Sequence, residues 1–302
     1  MSDSETRIRL AAFQWLSDQV AVYGDVLPRI LLLEGFEIDG ERVTLISQKG
    51  IWKPKLFELI PLSNTTSPND PYHDAPGDSL ILYHYRKGDP NHMDNRGLRE
   101  AMQTQTPLVY FYGIIPGKYL AVWPVFIAGD DTSAEIFTVV ADEADQIDHW
   151  SIIPGTDISG EDAVRRRYVT AGVRVRLHQR SFRERILAAY KAHCAFCRIA
   201  HTELLDAAHI IPDGEDGGDP IVQNGLSLCK IHHAAFDHNL IGVNPDYGIE
   251  IRHDLLEEID GPMLRHGIQA LHQGKLYLPT EKKNWPDRDR LSIRFEQFLR
   301  VG

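Results

Sequence analysis

The chain has 302 residues, of which 43% are apolar and 25% charged, and its formal net charge is −11 at pH 7. This composition is typical of a globular protein of about two domains, and no apolar run reaches the roughly 18 residues of a membrane span. The polar start lacks the apolar core of a secretion signal, and three cysteines cannot all pair as disulfides. We therefore expect a protein of the reducing cytoplasm with no membrane partner.

The net negative charge of the chain comes entirely from its first half, because the charges of the second half balance. Residues 1–160 carry 12 basic and 23 acidic side chains, whereas residues 161–302 carry 20 of each. Binding to phosphates responds to local patches of charge rather than to the total, so an acidic protein can still bind DNA.

The predicted elements divide the chain into two domains of different character. Residues 6–34 have the pattern of a helix followed by an apolar segment, and residues 35–128 alternate short β-rich stretches with turn-forming clusters. Residues 129–162 are acidic and contain glycine, which is typical of a boundary. The sequence predicts an α+β protein with a β-rich domain over 1–160 and a second domain over 161–302.

An arginine-rich connector opens the second domain. Its first part, residues 165–179, alternates like a strand, and residues 181–193 are predicted to form a helix with Ser181 as N-cap. The positive charge favours contact with phosphates, with a solvated helix face as the alternative. The residues expected to contact a DNA backbone are Arg165, Arg166, Arg167, Arg174 and Arg176. A final amphipathic helix is predicted over residues 290–302.

All three cysteines fall in a pattern suited to zinc. Cys194 and Cys197 are separated by two residues, and Cys229 and His232 repeat that spacing, so each pair can reach one ion from a tight turn. A set of three cysteines and one histidine is typical of a closed, tetrahedral structural zinc site. His193 is an alternative fourth ligand. The pairs are expected to tie together the ends of a compact unit.

The segment that the cysteines enclose carries three short motifs. They are Ala208-His209-Ile210, Asn224-Gly225-Leu226 ahead of Cys229, and His232-His233 with Phe236-Asp237. In this order the motifs resemble the HNH nucleases of the ββα-metal type, in the McrA-like restriction endonuclease group, over about residues 180–255. The resemblance implies two strands and a helix that present a histidine and a divalent ion to one scissile phosphate.

The resemblance also implies roles for individual residues. His209 is the general base, a task that a neutral imidazole near pH 7 suits. Asn224 either holds the loop and the imidazole in place or touches the metal. His233 and Asp237 lie four residues apart on the helix and share one face, where they would bind Mg²⁺ or Mn²⁺. Asp206 is a candidate third ligand, although strand alternation places it on the face opposite His209.

The first domain resembles the SRA domain, a reader of modified cytosine with a PUA-like fold, over about residues 50–130. The matching residues are Tyr72, Asp74, Asp78, Tyr83 or Tyr85, Gly88 and Asn95. A base flipped into a pocket could stack between Tyr72 and either Tyr83 or Tyr85, while Asp74 accepts a hydrogen bond from the cytosine amino group. The alternative is that the two strand tyrosines face a core and that the aspartates belong to a turn.

Together the two resemblances imply a modification-dependent restriction endonuclease that cleaves double-stranded DNA containing 5-methylcytosine or 5-hydroxymethylcytosine. Cutting both strands with one-metal sites needs two sites, so a homodimer is expected. Three alternatives stay open. They are a first domain that reads unmodified sequence or another modification, a non-catalytic DNA-binding regulator, and a nuclease that acts on RNA.

Overall fold

The computed structural model describes residues 2–68, 81–142, 160–259 and 261–301. The chain divides into two compact units, Met1–Arg180 and Ser181–Gly302. The division falls at residue 180, after the acidic stretch near residue 160 that the sequence indicated as the boundary. Within the described ranges, no helix combines the length and apolar character needed to cross a membrane.

Helix α1 (Asp3–Tyr23) opens the first unit, and its start is encoded locally. Ser2 and Glu5 form a capping box, in which the Ser2 hydroxyl accepts from the Glu5 backbone N–H and the Glu5 carboxylate accepts from that of Ser2. One face of the helix buries Ile8, Phe13 and Leu16 in an apolar core. The periodic spacing of these residues is the signal that predicted the helix.

A sheet forms the centre of the first unit, and in the described residues it has seven strands. They are β1 (Val26–Pro28), β4 (Ile51–Trp52), β5 (Ser63–Thr65), β6 (Ile81–His84), β7 (Leu108–Ile115), β8 (Lys118–Asp131) and β9 (Ile136–Ala141). Their order is β4-β5-β7-β8-β9-β6, with β1 paired to β8. Only the β5–β7 pairing is parallel among the described strand pairs. A separate hairpin joins β2 (Phe36–Ile38) to β3 (Glu41–Val43).

Two apolar cores lie on the two faces of this sheet. Along β7, Leu108 and Tyr110 belong to one core, whereas Val109 and Phe111 belong to the other, because successive strand residues point to opposite faces. Helices α2 (Arg29–Glu34) and α3 (Met93–Gln103) complete the covering of the sheet. The prediction of a mixed α and β architecture is confirmed.

Residues 165–179 are helical, so the predicted strand is wrong. They belong to one long helix, α4 (Gly160–Ala189), and Ser181 lies inside that helix rather than at its N-cap. The alternation of valine and arginine in this segment is typical of a strand, which is why a strand was predicted. Val173 and Leu177 stand four residues apart, and both are buried against the sheet core. Helical spacing therefore buries one continuous face, which a strand at this position would not do.

Asp142, just after β9, fastens α4 to the sheet. Its carboxylate is fully buried and accepts hydrogen bonds from Arg165 Nε at 3.0 Å and from Arg166 Nε at 2.8 Å. The Arg166 guanidinium also lies 3.8 Å from the centre of the Phe126 ring. Two of the five arginines predicted to contact DNA thus bind an internal acid.

The second unit is built around a hairpin and a helix. Strands β10 (Leu205–His209) and β11 (Gly225–Cys229) pair antiparallel, and α5 (Lys230–Asp237) follows directly. A smaller hairpin of β12 (Ile241–Val243) and β13 (Ile249–Ile251) precedes α6 (His253–Glu257) and α7 (Pro262–Gly267). Helix α8 (Arg288–Val301) ends the unit, as the tail pattern predicted. The end of α4 packs Phe182 and Ile186 into the same core as the hairpin.

We expect the substitution Asp142→Ala to destabilise the first unit by about 3–5 kcal/mol, because it leaves two arginines without their buried partner. Urea denaturation of the full chain measures this loss. The matched control is Arg7→Ala, which breaks an ion pair between exposed side chains, Arg7 and Asp39, and should cost about 1 kcal/mol or less. Equal losses in the two variants would contradict a structural role for Asp142.

Candidate functional site

Three cysteines and one histidine converge at one end of the hairpin. The ligand atoms of Cys194, Cys197, Cys229 and His232 all lie within 4.8 Å of one another. His232 Nδ1 is 3.5 Å from Cys194 Sγ and 3.2 Å from Cys229 Sγ. Tetrahedral zinc holds two sulfurs roughly 3.8 Å apart, so the spacing and the donor set both fit this ion.

The surroundings of the cluster orient its histidine. His232 Nε2 lies 2.7 Å from the carbonyl oxygen of Gly267, so Nε2 carries the proton and Nδ1 is left to face the sulfurs. His193 is turned elsewhere, with its Nδ1 2.6 Å from the carbonyl oxygen of Lys191. Of the two histidines considered as the fourth ligand, the structure brings His232 into the cluster.

The thiols of the cluster titrate together. A hydrogen bond with Cys229 lowers the pKa of Cys194, whereas the same contact, together with burial, raises the pKa of Cys229. Burial also raises the pKa of Cys197. Without a cation the cluster therefore favours a single thiolate. Binding of a zinc ion would release the remaining thiol protons, which makes metal affinity dependent on pH.

His209 stands at the opposite end of the hairpin, in register with Gly225 of β11. Its ring lies flat on Phe182, with the ring centres 4.0 Å apart and the planes at 13°. Its Nε2 is buried and has no hydrogen-bond partner among the residues that the structure describes. Burial lowers the pKa of His209 below its usual value. The imidazole is therefore neutral near pH 7, which is the form that a general base requires.

Asn224 holds the loop that follows β10. Its side chain is fully buried, and its Oδ1 accepts from the Ile211 N–H at 2.9 Å. Its Nδ2 donates to the carbonyl oxygens of Ile211 at 3.0 Å and of Asp219 at 3.1 Å. These bonds correspond to the first of the two roles predicted for Asn224, that of holding the loop next to His209.

His233 lies between two carboxylates. Its Nδ1 is 3.8 Å from Asp206 Oδ2, and its Nε2 is 3.3 Å from Asp237 Oδ2, one helical turn further along α5. The acids approach different ring nitrogens, so the three residues do not form one close ligand cluster. Strand alternation predicted that Asp206 and His209 point to opposite faces. The charge of His233 nevertheless lowers the pKa of both residues.

The charges around His233 favour a bound cation. The nearby Asp206 carboxylate raises the pKa of His233, and the imidazole in turn lowers the pKa of Asp206. Arg183 Nε also lies 3.6 Å from Asp206 Oδ1. Carboxylate and imidazole donors suit Mg²⁺ or Mn²⁺, and such ions commonly take only one or two protein ligands beside water and substrate phosphate. The residues present therefore fit a divalent ion at His233 with one of the two acids.

Two arginines of α8 support this site, and no sequence motif predicted their role. Arg290 donates to Asp219 Oδ2 at 3.0 Å and so holds the loop after β10. Arg294 donates to the carbonyl oxygen of Asp237 at 3.1 Å, at the end of α5, where a cation is favourable. The two residues are four apart and share one face of α8. The amphipathic pattern predicted this helix without indicating its targets.

The predicted base pocket of the first unit is described only in part. Tyr72 and Asp74 lie outside the described residues. Tyr83 and Tyr85 are 4% and 5% exposed, and the Tyr85 hydroxyl donates to Asp130. Both tyrosines nevertheless border a pocket of about 340 Å³, whose wall also includes Lys49, Arg86 and Lys87. Their role in binding a base stays a prediction.

The remaining connector arginines differ in exposure. Arg167 and Arg176 are exposed on α4, while Arg174 is half-buried. Exposure leaves the first two able to meet a phosphate. Their contact with DNA also stays a prediction.

Comparison with known families agrees with the geometry of the hairpin and helix. Residues 194–244 match the family model described as HNH endonuclease. This segment is an HNH endonuclease domain. The match begins at Cys194, the first cysteine of the metal cluster, and includes the residues predicted to bind metal or act in catalysis, apart from the alternative ligand His193. The first unit and α8 lie outside the HNH domain.

Two solved structures match the chain at low similarity. One is a modification-dependent TagI restriction endonuclease, at 16% identity and a TM-score of 0.28, with 79% of this chain and 81% of that chain covered. The other is the type IV phosphorothioation-dependent restriction endonuclease ScoMcrA, at 15% identity and a TM-score of 0.20, with 57% and 52% covered. Comparison with curated proteins gives no match.

We expect Cys194→Ser to remove zinc from the HNH domain and to unfold the second unit, because structural zinc contributes on the order of 10 kcal/mol to folding. Elemental analysis and thermal denaturation of the purified chain measure the two effects. His193→Ala is the matched control, since it removes the neighbouring histidine that points away from the cluster. Loss of zinc from His193→Ala and its retention in His232→Ala would reverse the assignment of the fourth ligand.

Proposed function

We propose that the chain is a metal-dependent DNA endonuclease in which His209 activates the attacking water. The observation that carries this proposal is the pairing of two differently tuned imidazoles in the HNH domain. His209 is half-buried and neutral, whereas His233 stands between two carboxylates. Hydrolysis of a phosphodiester needs both a base and a centre of positive charge, and these two residues supply the groups for each.

The protein's own groups have distinct tasks in this proposal. His209 takes a proton from water, as its neutral imidazole allows. Asn224 keeps the adjoining loop in place through its bonds to Ile211 and Asp219. A divalent ion bound at His233 would stabilise the charge on the phosphoryl oxygens and on the leaving oxygen.

We assign the ion to His233 and Asp237, with Asp206 as the residue that orients His233. Asp206 faces Nδ1 of the ring and is already paired with Arg183, a cation that opposes a metal at the same carboxylate. Asp237 faces the other nitrogen and is half-exposed, so this side of the ring remains open to a metal and a phosphate. A histidine ligand commonly donates its second nitrogen to a carboxylate in this way.

We further propose that the first unit makes cleavage depend on a modified cytosine, either 5-methylcytosine or 5-hydroxymethylcytosine. The resemblance to SRA domains supports this, and so does the pocket beside Tyr83 and Tyr85, which is large enough for one base. Cationic side chains at that pocket suit the flanking phosphates. Arg167, Arg174 and Arg176 would contact the DNA backbone, and a homodimer would cut both strands.

We expect His209→Ala to lower the cleavage rate at least about 100-fold and to leave DNA affinity unchanged, because it removes a general base and no phosphate contact. Plasmid nicking with Mn²⁺ and a gel-shift assay measure the two quantities. His238→Ala, which removes an exposed histidine just after α5, is the control. Full activity of a folded His209→Ala protein would overturn the proposed mechanism.

The same nicking assay tests the substrate. Plasmids that carry no modification, 5-methylcytosine, 5-hydroxymethylcytosine or glucosylated hydroxymethylcytosine should be cleaved unequally, with the first one resistant. Equal cleavage of all four would assign the first unit to another recognition task. Cleavage of none, with binding retained, would favour a non-catalytic DNA-binding regulator.

The assignment of the metal ligands predicts an order of effects. Asp237→Asn should abolish measurable Mn²⁺ binding at the HNH site, whereas Asp206→Asn should weaken it by roughly 10- to 100-fold, as is usual for a residue that orients a ligand. Calorimetric titration of the zinc-loaded protein with Mn²⁺ measures both. The reverse order would make Asp206 the ligand and Asp237 the supporting residue.

A further inference from the structure

The ring of His209 is held by packing. A catalytic histidine is usually oriented by a hydrogen bond from its second nitrogen to a carboxylate or a carbonyl oxygen. His209 instead lies against Phe182, with the rings 4.0 Å apart and nearly parallel, and the described residues offer its Nε2 no partner. Rotation of an imidazole about its last side-chain bond is a soft motion, so some contact must limit it.

Gly225 provides the space for this contact. A β-carbon at residue 225 would lie 2.3 Å from Ile186 Cδ1 and 2.7 Å from Phe182 Cζ, far closer than atoms can approach. The backbone there is extended, with φ −140° and ψ 150°, a conformation that any residue can adopt. The glycine is therefore required by space and not by backbone conformation. A larger residue would push Phe182 away from the ring opposite.

Phe182 is itself well fixed. Its side chain is 2% exposed, and it lies one helical turn before Ile186 on the same face of α4. The next residue, Arg183, donates to the carbonyl oxygen of Leu205 at 2.9 Å, at the start of β10. The end of α4 thus contacts both ends of β10. Arg183 binds the first residue, Leu205, and the ring of Phe182 packs on the last residue, His209.

We propose that Phe182 is a positioning residue for the catalytic base and that Gly225, which has no side chain, leaves the space that the Phe182 ring needs. The aromatic face sets the plane of the imidazole and takes up neither ring nitrogen. The stacking favours one orientation of the imidazole. This inference rests on the proposed function, in which His209 is the base.

The test compares two substitutions in the same core. Phe182→Leu keeps an apolar side chain of similar burial but removes the flat face, whereas Ile186→Val removes one methylene beside Gly225 and leaves the ring pair intact. With saturating DNA and Mn²⁺, Phe182→Leu should lower the single-turnover cleavage rate roughly 10- to 100-fold, because small misplacement of a reacting group has effects of that size. Its Kd for DNA should not change, and Ile186→Val should cleave at the wild-type rate.

A spectroscopic measurement checks the contact itself. In the wild-type protein, the ring protons of His209 should resonate upfield because they lie over the Phe182 ring. The signal is identified by its absence from His209→Ala. Phe182→Leu should move it downfield, and Ile186→Val should not. If Phe182→Leu does not fold, Phe182→Met, which fills irregular space with an unbranched chain, takes its place in both measurements.

The outcomes separate this inference from the proposed function. An inactive His209→Ala together with a fully active Phe182→Leu would refute the positioning role alone. An active His209→Ala would remove the base and the inference with it. Equal loss of rate in Phe182→Leu and Ile186→Val, or loss of DNA binding in step with rate, would make Phe182 an ordinary core residue.

Discussion

The second unit depends on one junction, where the side chains of Cys194, Cys197, Cys229 and His232 meet. The first two lie after α4, the third ends β11, and His232 belongs to the first turn of α5. The junction therefore joins the end of α4 to β11 and α5, and β10, which carries Asp206 and His209, is held through its pairing with β11. It stands at the end of the hairpin where Leu205 pairs with Cys229. Four residues of extended chain, roughly 13 Å, separate it from His209 at the other end.

The adjacent histidines of α5 connect the two ends. Neighbouring residues of a helix point about 100° apart, so His232 can enter the metal cluster while His233 faces Asp206 and Asp237. Metal binding at the junction thus also sets the direction of His233. Burial lowers the pKa of His209, whereas carboxylates raise that of His233. Identical side chains a short distance apart are in this way suited to different tasks.

Much of what supports the site lies outside the 51 residues that match the HNH family, residues 194–244. Helix α4 contributes the ring that lies on His209 and the arginine beside Asp206. Helix α8 holds the loop after β10 through Arg290 and the end of α5 through Arg294. A hairpin and a short helix have little core of their own, so flanking helices are needed to bury them and to limit their motion.

The sequence alone determined the features that depend on short-range spacing. The two metal-ligand pairs and the shared helix face of His233 and Asp237 follow from offsets of a few residues. Such offsets translate directly into geometry, because helices and strands have fixed periods. The α+β class and the final helix were predictable for the same reason. The order strand, strand and helix was implied by the resemblance to HNH nucleases.

Only the tertiary structure decided which partner each side chain meets. The valines and arginines of residues 165–179 alternate like a strand, but the sheet core selects the helical face of Val173 and Leu177. The sequence predicted that Arg165 and Arg166 contact DNA, but in the structure both bind the buried carboxylate of Asp142. The contact of Phe182 with His209 joins residues 27 positions apart, across a space that exists because residue 225 has no side chain. Contacts of this kind depend on packing between distant segments, for which the local sequence carries no signal.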